Sequence, residues 1–153
     1  MSITIVAVRP DSVDAVQLLT ELDAQLAGQP YPQTSRHAFS IDRLLRENVA
    51  FFVTRYQDQP AGCGGLKVFG TEYGEVKRMY VRPAYRGLGL GKAMLRYLEA
   101  YAHTHQIGVL RLETGIYQTD AIGLYERSGF QRRSPFGNYR EDPLSVYFEK
   151  IIA

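Results

Sequence analysis

Glu75-Val-Lys-Arg-Met-Tyr-Val-Arg-Pro-Ala-Tyr-Arg-Gly-Leu-Gly-Leu-Gly-Lys-Ala-Met-Leu-Arg-Tyr-Leu98 is the stretch on which the reading of this chain turns. Its first part, Glu75 to Val81, mixes β-branched, aromatic and long side chains without Gly or Pro, and Pro83 stops the run, which predicts a strand entering a loop. Leu90, Met94, Tyr97, Leu98 and Tyr101 then recur at helical spacing, with Lys92, Arg96, Glu99 and His103 on the opposite side, which predicts a helix. Between the two, Arg86, Gly87, Gly89 and Gly91 make a short loop. The first N–H groups of a helix have no intrahelical acceptor, and glycines remove the Cβ atoms that would hold a ligand away from them. The helix start also carries about half a positive charge, to which Arg86 and Lys92 add, so the simplest ligand for the loop is a pyrophosphate.

Spacing excludes two familiar owners of that pyrophosphate. A Walker A loop needs Gly at its first position and Ser or Thr after Gly-Lys, but Arg86 and Ala93 stand there. The dinucleotide fingerprint needs a third glycine three residues after the second, where this chain has Lys92 or Met94. What fits is Arg/Gln-x-x-Gly-x-Gly/Ala, matched by Arg86-Gly87-Leu88-Gly89-Leu90-Gly91. A second segment, Ala121-Ile122-Gly123-Leu124-Tyr125-Glu126-Arg127-Ser128-Gly129-Phe130, matches Ala-x-x-Leu-Tyr-x-x-x-Gly-Phe. With both motifs in this order the chain resembles the GNAT superfamily of acetyl-coenzyme A-dependent N-acetyltransferases. For the first loop alone the other reading is a tight strand-to-helix turn with no ligand.

The resemblance implies a site. Arg86, Gly87, Leu88, Gly89, Leu90, Gly91 and Lys92 would bind the coenzyme A pyrophosphate, and Met79, Tyr80 and Val81 would lie beside the thioester, their backbone N–H groups serving as oxyanion donors. Tyr125 matches the family position that hydrogen-bonds the coenzyme sulfur and protonates the thiolate; a phenol is protonated at neutral pH. Gln118 stands where the family often has Asn, an amide that contacts the pantetheine. Glu75, six residues before Val81, has the offset of a general-base Glu in histone-acetylating members. Its other reading is a carboxylate paired with Lys77 or Arg78 at a solvated strand end.

Composition narrows the partners. The chain has 153 residues, 45% hydrophobic and 22% charged, which fits one globular domain, 1–153, with its own core. Net charge is +2 and the basic residues are dispersed, so neither a nucleic-acid partner nor a membrane surface is expected. The single cysteine, Cys63, excludes an intrachain disulfide, and the three histidines have no metal spacing with it, so no metal is expected. With no signal segment or apolar span recognised, a cytoplasmic protein is expected.

Along the chain, Ile3 to Val8 reads as a strand and Asp11 or Ser12 as the cap of a helix with Val16, Leu19, Leu22 and Leu26 on its apolar face. A loop around Tyr31 precedes a short helix from Ser40 to Glu47. Val49 to Tyr56, Ala61 to Phe69 and the strand ending at Val81 should run antiparallel through short turns. The strand Val109 to Glu113, after the central helix, should lie parallel to the one carrying Glu75. Thr119 or Asp120 caps the Tyr125 helix, and Phe130 to Arg133 and Leu144 to Ile151 complete the strands, the last as an exposed edge able to pair in a homodimer. The fold class expected is α/β (α+β), a GNAT-like mixed, mostly antiparallel sheet that splays between its central strands, with helices on both faces.

Candidate acceptor-site residues are Tyr31, Arg36 and His37 between the first two helices, and Tyr117, Phe136, Tyr139 and Arg140 later in the chain. An Arg140 facing the pocket would favour a substrate with a carboxylate. Tyr80 and Tyr85 read as packing residues before adenine-stacking ones. The tail from Pro135 to Val146 is also similar to a subgroup of small bacterial GNAT proteins, some of which have been proposed to act on indole-3-acetic acid, an aryl acetate without the amine this chemistry uses. The function expected is direct transfer of acetyl from acetyl-coenzyme A to a primary amine of a small molecule or peptide in a ternary complex. The rival is a non-catalytic acyl-coenzyme A sensor.

Overall fold

The computed structural model describes residues 2–32 and 40–153. Its elements are β1 (Ile3–Ala7), α1 (Val13–Ala27), α2 (Ile41–Arg46), β2 (Ala50–Tyr56), β3 (Gln59–Phe69), β4 (Tyr73–Val81), α3 (Leu90–Thr104), β5 (Val109–Gly115), α4 (Thr119–Arg127), β6 (Gln131–Arg133) and β7 (Ser145–Ile151), with a short 3-10 turn at Pro83–Tyr85 between β4 and α3. The strands form one sheet in the order β1-β2-β3-β4-β5-β7-β6. All neighbours are antiparallel except β4 and β5, which the α3 crossover makes parallel. The expected GNAT-like α/β architecture is the one found.

Two apolar clusters sandwich the sheet. On one face α3 and α4 pack Met94, Leu95, Leu98 and Tyr125 against Phe52, Leu66, Val76, Leu110 and Phe148. On the other, α1 and α2 pack Ala15, Leu18, Leu19, Leu22 and Leu44 against Phe51, Val53, Cys63 and Tyr80. The buried stripe of α1 is thus rotated from the expected one: Ala15 and Leu18 are inside while Val16 is 37% exposed, because small Ala15 extends the i, i+3, i+4, i+7 series that a reading weighted to large residues misses.

Other boundaries move for local reasons. Gln57 and Asp58 both have positive φ, so the β2–β3 hairpin turns on that pair and β3 begins at Gln59. Neither Thr119 nor Asp120 caps α4; Gln118 holds that position without a side-chain cap bond, and Ser12 before α1 likewise makes none. Ser40 does cap α2, accepting from the Arg43 N–H at 3.1 Å. The strand expected as an open edge is interior: β7 pairs with β5 on one side and β6 on the other, and the sheet ends in β1 and β6. No helix among the described residues is long and apolar enough to cross a membrane.

Two irregularities in β4 prepare the site. β4 and β5 share only the pairs Gly74↔Leu110 and Glu75↔Arg111, after which the strands part. On its other side β4 carries a bulge: Arg78 and Met79 together oppose Gly64 between the pairs Gly65↔Lys77 and Cys63↔Tyr80, and Arg78 takes a φ of 56°. A Cβ on Gly62 would stand 2.5 Å from the Tyr80 carbonyl oxygen, so the glycines of β3 are what let the bulged strand approach.

Candidate active site

The parting of β4 and β5 opens a cleft of about 480 Å³. Glu75, Lys77, Arg78 and Met79 line it from β4, Glu113, Thr114 and Gly115 from β5, Leu22, Asp23 and Leu26 from α1, and Gln118, Ala121 and Tyr125 from α4. Tyr31 and Tyr139 reach it from connecting segments. Glu75 from strand β4 and Tyr125 from helix α4 therefore meet one space.

Glu75 is 3% exposed, and Lys77, two residues along the same strand and so on the same face, stands 2.8 Å from its Oε2. The Tyr139 hydroxyl donates to that same oxygen at 2.7 Å. The expected alternative of an ion pair with Lys77 is present, but inside the cleft instead of at a solvated strand end. Burial lowers the proton affinity of the Lys77 ammonium, an effect that Glu75 opposes. Burial, reinforced by Glu75, raises that of the Tyr139 phenol. Tyr125 is 5% exposed; burial and then Glu113 push its phenol upward, and its hydroxyl has no hydrogen-bond partner among the described residues. On the α1 side Arg78 pairs with Asp23, and its Nε is buried without a partner among the described residues.

The glycine loop sits at the end of β4, beside the cleft and not in its wall. Gly87 and Gly89 have φ of 80° and 79°, with no atom within 4 Å of where a Cβ would stand. Their glycines thus serve backbone conformation and leave open space. Gly89 is the N-cap of α3 and offers no side chain, so the first N–H groups of the helix are uncapped. This cradle fits an anionic group such as a pyrophosphate. Gly91 has a different reason: a Cβ there would lie 2.7 Å from Leu124 Cδ2, so it lets α3 and α4 touch. Leu90 and Gly91 are buried and can contribute only backbone, and Lys92 is exposed. Arg86 is drawn back over the strand end, Nε donating to the Val81 oxygen at 3.0 Å and Nη2 to Gln25 Oε1 at 2.9 Å.

The structure brings only some of the acceptor candidates to the cleft. Tyr31 Oη accepts from the Tyr117 N–H at 2.9 Å and contacts Gln118 Oε1 at 3.4 Å, clasping the chain after α1 to the start of α4. Tyr117 itself is 38% exposed and does not line the cleft. Phe136 is 4% exposed in a ring cluster with Tyr73 and Tyr147, a packing role that corrects the pocket-lining expectation. Arg140 is exposed and does not line the cleft, whose basic lining residues are Lys77 and Arg78. Arg36 and His37 lie outside the described residues. Tyr80 packs against α1, its hydroxyl donating to Glu21 at 3.2 Å, and so is no adenine platform. Lys77 and Glu113 were not singled out as site residues in the sequence, though strand alternation from Glu75 would have found the first.

The model of the acetyltransferase (GNAT) family matches residues 16–130. The chain belongs to the GNAT acetyltransferase family. A protein named IAA acetyltransferase from Azospirillum brasilense is 41% identical over 153 residues, covering 99% of each chain. An uncharacterized Escherichia coli N-acetyltransferase, YedL, is 34% identical over 140 residues, 90% of this chain and 88% of that one. Among solved structures, a Klebsiella pneumoniae protein assigned as an acyl-CoA N-acyltransferase is similar with TM-score 0.84 and 36% identity, covering 99% of this chain and 98% of that one. A Thermoplasma acidophilum N-acetyltransferase solved in complex with coenzyme A shares the fold with TM-score 0.78 at 22% identity, covering 99% of each chain. This GNAT chain is an acetyltransferase, and its second motif places Tyr125 on α4 facing the cleft.

Proposed function

We propose that this enzyme transfers acetyl from acetyl-coenzyme A directly to a primary amine of a small molecule or peptide in the cytoplasm. The observation that carries the reading is that Glu75 on β4 and Tyr125 on α4 line one cleft. The glycine cradle at Arg86 to Lys92 would hold the pyrophosphate, and the β5-facing edge of β4 beyond Glu75, which has no strand partner, would hold the pantetheine, assisted by Gln118. Bound acetyl-coenzyme A supplies an acetyl group on a thiolate leaving group.

The chain's own residues then manage protons and charge. An acceptor amine arrives largely as ammonium, and Glu75 takes its proton, directly or through water. Backbone N–H groups at Met79 to Val81 stabilise charge on the carbonyl oxygen. Tyr125, kept protonated by burial, donates to the departing sulfur. A covalent enzyme intermediate is disfavoured: Cys63, the one thiol, is 1% exposed, its proton affinity is pushed up to about 12 by burial, and it does not line the cleft.

Free-thiol release from acetyl-coenzyme A against an amine panel tests this, run on wild type, Glu75→Gln and Tyr125→Phe. The IAA-named relative puts IAA in the panel as well. Turnover reduced by about 10²–10⁴ in either variant, with coenzyme binding retained, supports the acetyltransferase and that residue's role. Tight coenzyme binding with no turnover across the panel would favour the sensor instead.

A further inference from the structure

Glu75 is held by one oxygen only. Lys77 Nζ at 2.8 Å and Tyr139 Oη at 2.7 Å both meet Oε2, and the two donors lie 3.2 Å from each other, closing a triangle on that atom. Oε1 has no hydrogen-bond or ion-pair partner among the described residues, while Glu75 itself lines the cleft. We propose that Tyr139 and Lys77 are positioning residues that clamp Oε2 and so present Oε1 to the acceptor as the proton-accepting atom. The inference rests on Glu75 being the base.

The physical need is plain. A carboxylate only 3% exposed is costly unless paired and hydrogen-bonded. If both oxygens were satisfied by protein donors, no lone pair would remain for the acceptor's proton. If neither were held, the side chain could turn away from the cleft or take up a proton. Putting both donors on Oε2 pairs the buried carboxylate and leaves the other oxygen open. Tyr139 is separated from Glu75 by 64 positions and arrives from the connection between β6 and β7, so that connection takes part in forming the site. Its ring also packs on Phe136 at 5.2 Å and Tyr147 at 5.5 Å, contacts that a phenylalanine would keep.

Other charged and titratable groups surround the triangle. Across β3 stands Lys67, ion-paired to Glu47, which also takes Arg43. Across β5 stands Arg111, paired with Glu149, and further along that strand Glu113, which accepts from the Ser145 hydroxyl at 2.8 Å. Arg78 with Asp23 lines the α1 side, Tyr73 lies earlier on β4, and Tyr147 lies on β7. Tyr139→Phe removes only the hydroxyl and leaves each of these side chains chemically unaltered. A change seen in Tyr139→Phe therefore reports the clamp.

Losing a donor to the ionised form raises the proton affinity of a carboxylate, and losing an adjacent cation raises it more. The experiment is the pH profile of kcat/KM by thiol release on full-length wild type, Tyr139→Phe, Lys77→Met, Lys77→Arg and Glu75→Gln, with coenzyme affinity and melting temperature measured beside it. The expected result is an acid limb displaced upward by about one pH unit in Tyr139→Phe, a tenfold loss on that limb which recovers at higher pH. Lys77→Met should displace it further and Lys77→Arg less, with coenzyme affinity unchanged in all three. An acid limb in Tyr139→Phe that coincides with wild type, while Glu75→Gln is inactive, overturns the clamp alone. Wild-type turnover by Glu75→Gln would overturn the assignment of the base on which the clamp depends.

Discussion

Gly64 lies so close to Met79 that a Cβ on the glycine would stand 2.8 Å from the methionine sulfur, and 2.9 Å from Met94 Cγ. Its neighbour in the same strand, Gly62, faces the Tyr80 carbonyl oxygen at 2.5 Å in the same test. The first obstacle is the flexible end of a side chain and the second is backbone, so the two positions should respond differently. Gly64→Ala should cost about 1–3 kcal/mol as Met79 and Met94 repack, and Gly62→Ala should cost more because β4 itself must move. Thermal melting checks the order. A Gly62→Ala protein as stable as Gly64→Ala would mean that the bulge at Arg78 adjusts freely.

The glycines of the loop separate in the same way. Gly89→Ala places a Cβ in open space but on a left-handed backbone, a local strain of about 1–2 kcal/mol at the mouth of the cradle. Gly91→Ala drives a Cβ against Leu124 Cδ2 at 2.7 Å, between two helices. The first should weaken coenzyme binding with a modest loss of stability; the second should lower the melting temperature through the α3–α4 contact, with binding following stability. Calorimetric titration of coenzyme A alongside thermal melts distinguishes them.

Tyr125 should affect rate without setting a pH limb. Burial and Glu113 raise its proton affinity, so the phenol stays neutral across the working range and begins to ionise only above the ordinary tyrosine value. Tyr125→Phe should lower kcat by about 10²-fold at every pH and leave the positions of both limbs unchanged. Because the folded value is raised, any stability linked to this group is present below about pH 10 and is lost only as pH rises toward the folded value. A variant whose basic limb moves would assign that limb to Tyr125.

Much of this arrangement is written in local chemistry, and the remainder is not. The loop from Arg86 to Gly91 and the α4 motif ending in Gly129-Phe130 are contiguous, so their resemblance to the family's motifs was readable in the sequence. The order of strands around the α3 crossover followed from handedness and short turns. The bulge at Arg78 left only an indirect trace in the glycines of β3, because a register shift depends on two strands at once. The Tyr139–Glu75 bond spans 64 positions and no periodicity encodes it. Phe136 and Tyr139 are three residues apart in one connection and share a ring cluster, yet only Tyr139 also lines the cleft. The interior place of β7 was hidden because β6 has only three residues.

Glu21 on α1 helps fasten the end of β4, and its titration should be visible in stability. Glu21 accepts from Arg82 Nε at 2.9 Å and Nη2 at 2.6 Å, and from the Tyr80 hydroxyl at 3.2 Å, while Arg82 Nη1 donates to the Pro60 oxygen at 3.0 Å. The bond from Arg82 holds the Glu21 carboxyl below the usual range despite partial burial. Since the folded value is depressed, the contribution is complete above the unfolded value, about 4.3, and disappears as pH falls through the folded one. Glu21→Gln should therefore lower stability at pH 7 by about 1 kcal/mol, the scale of a partly exposed pair, and the difference from wild type should close as both are acidified. Denaturant unfolding at several pH values checks this. An offset that persists unchanged at the lowest pH would mean that the Glu21 charge is not its source.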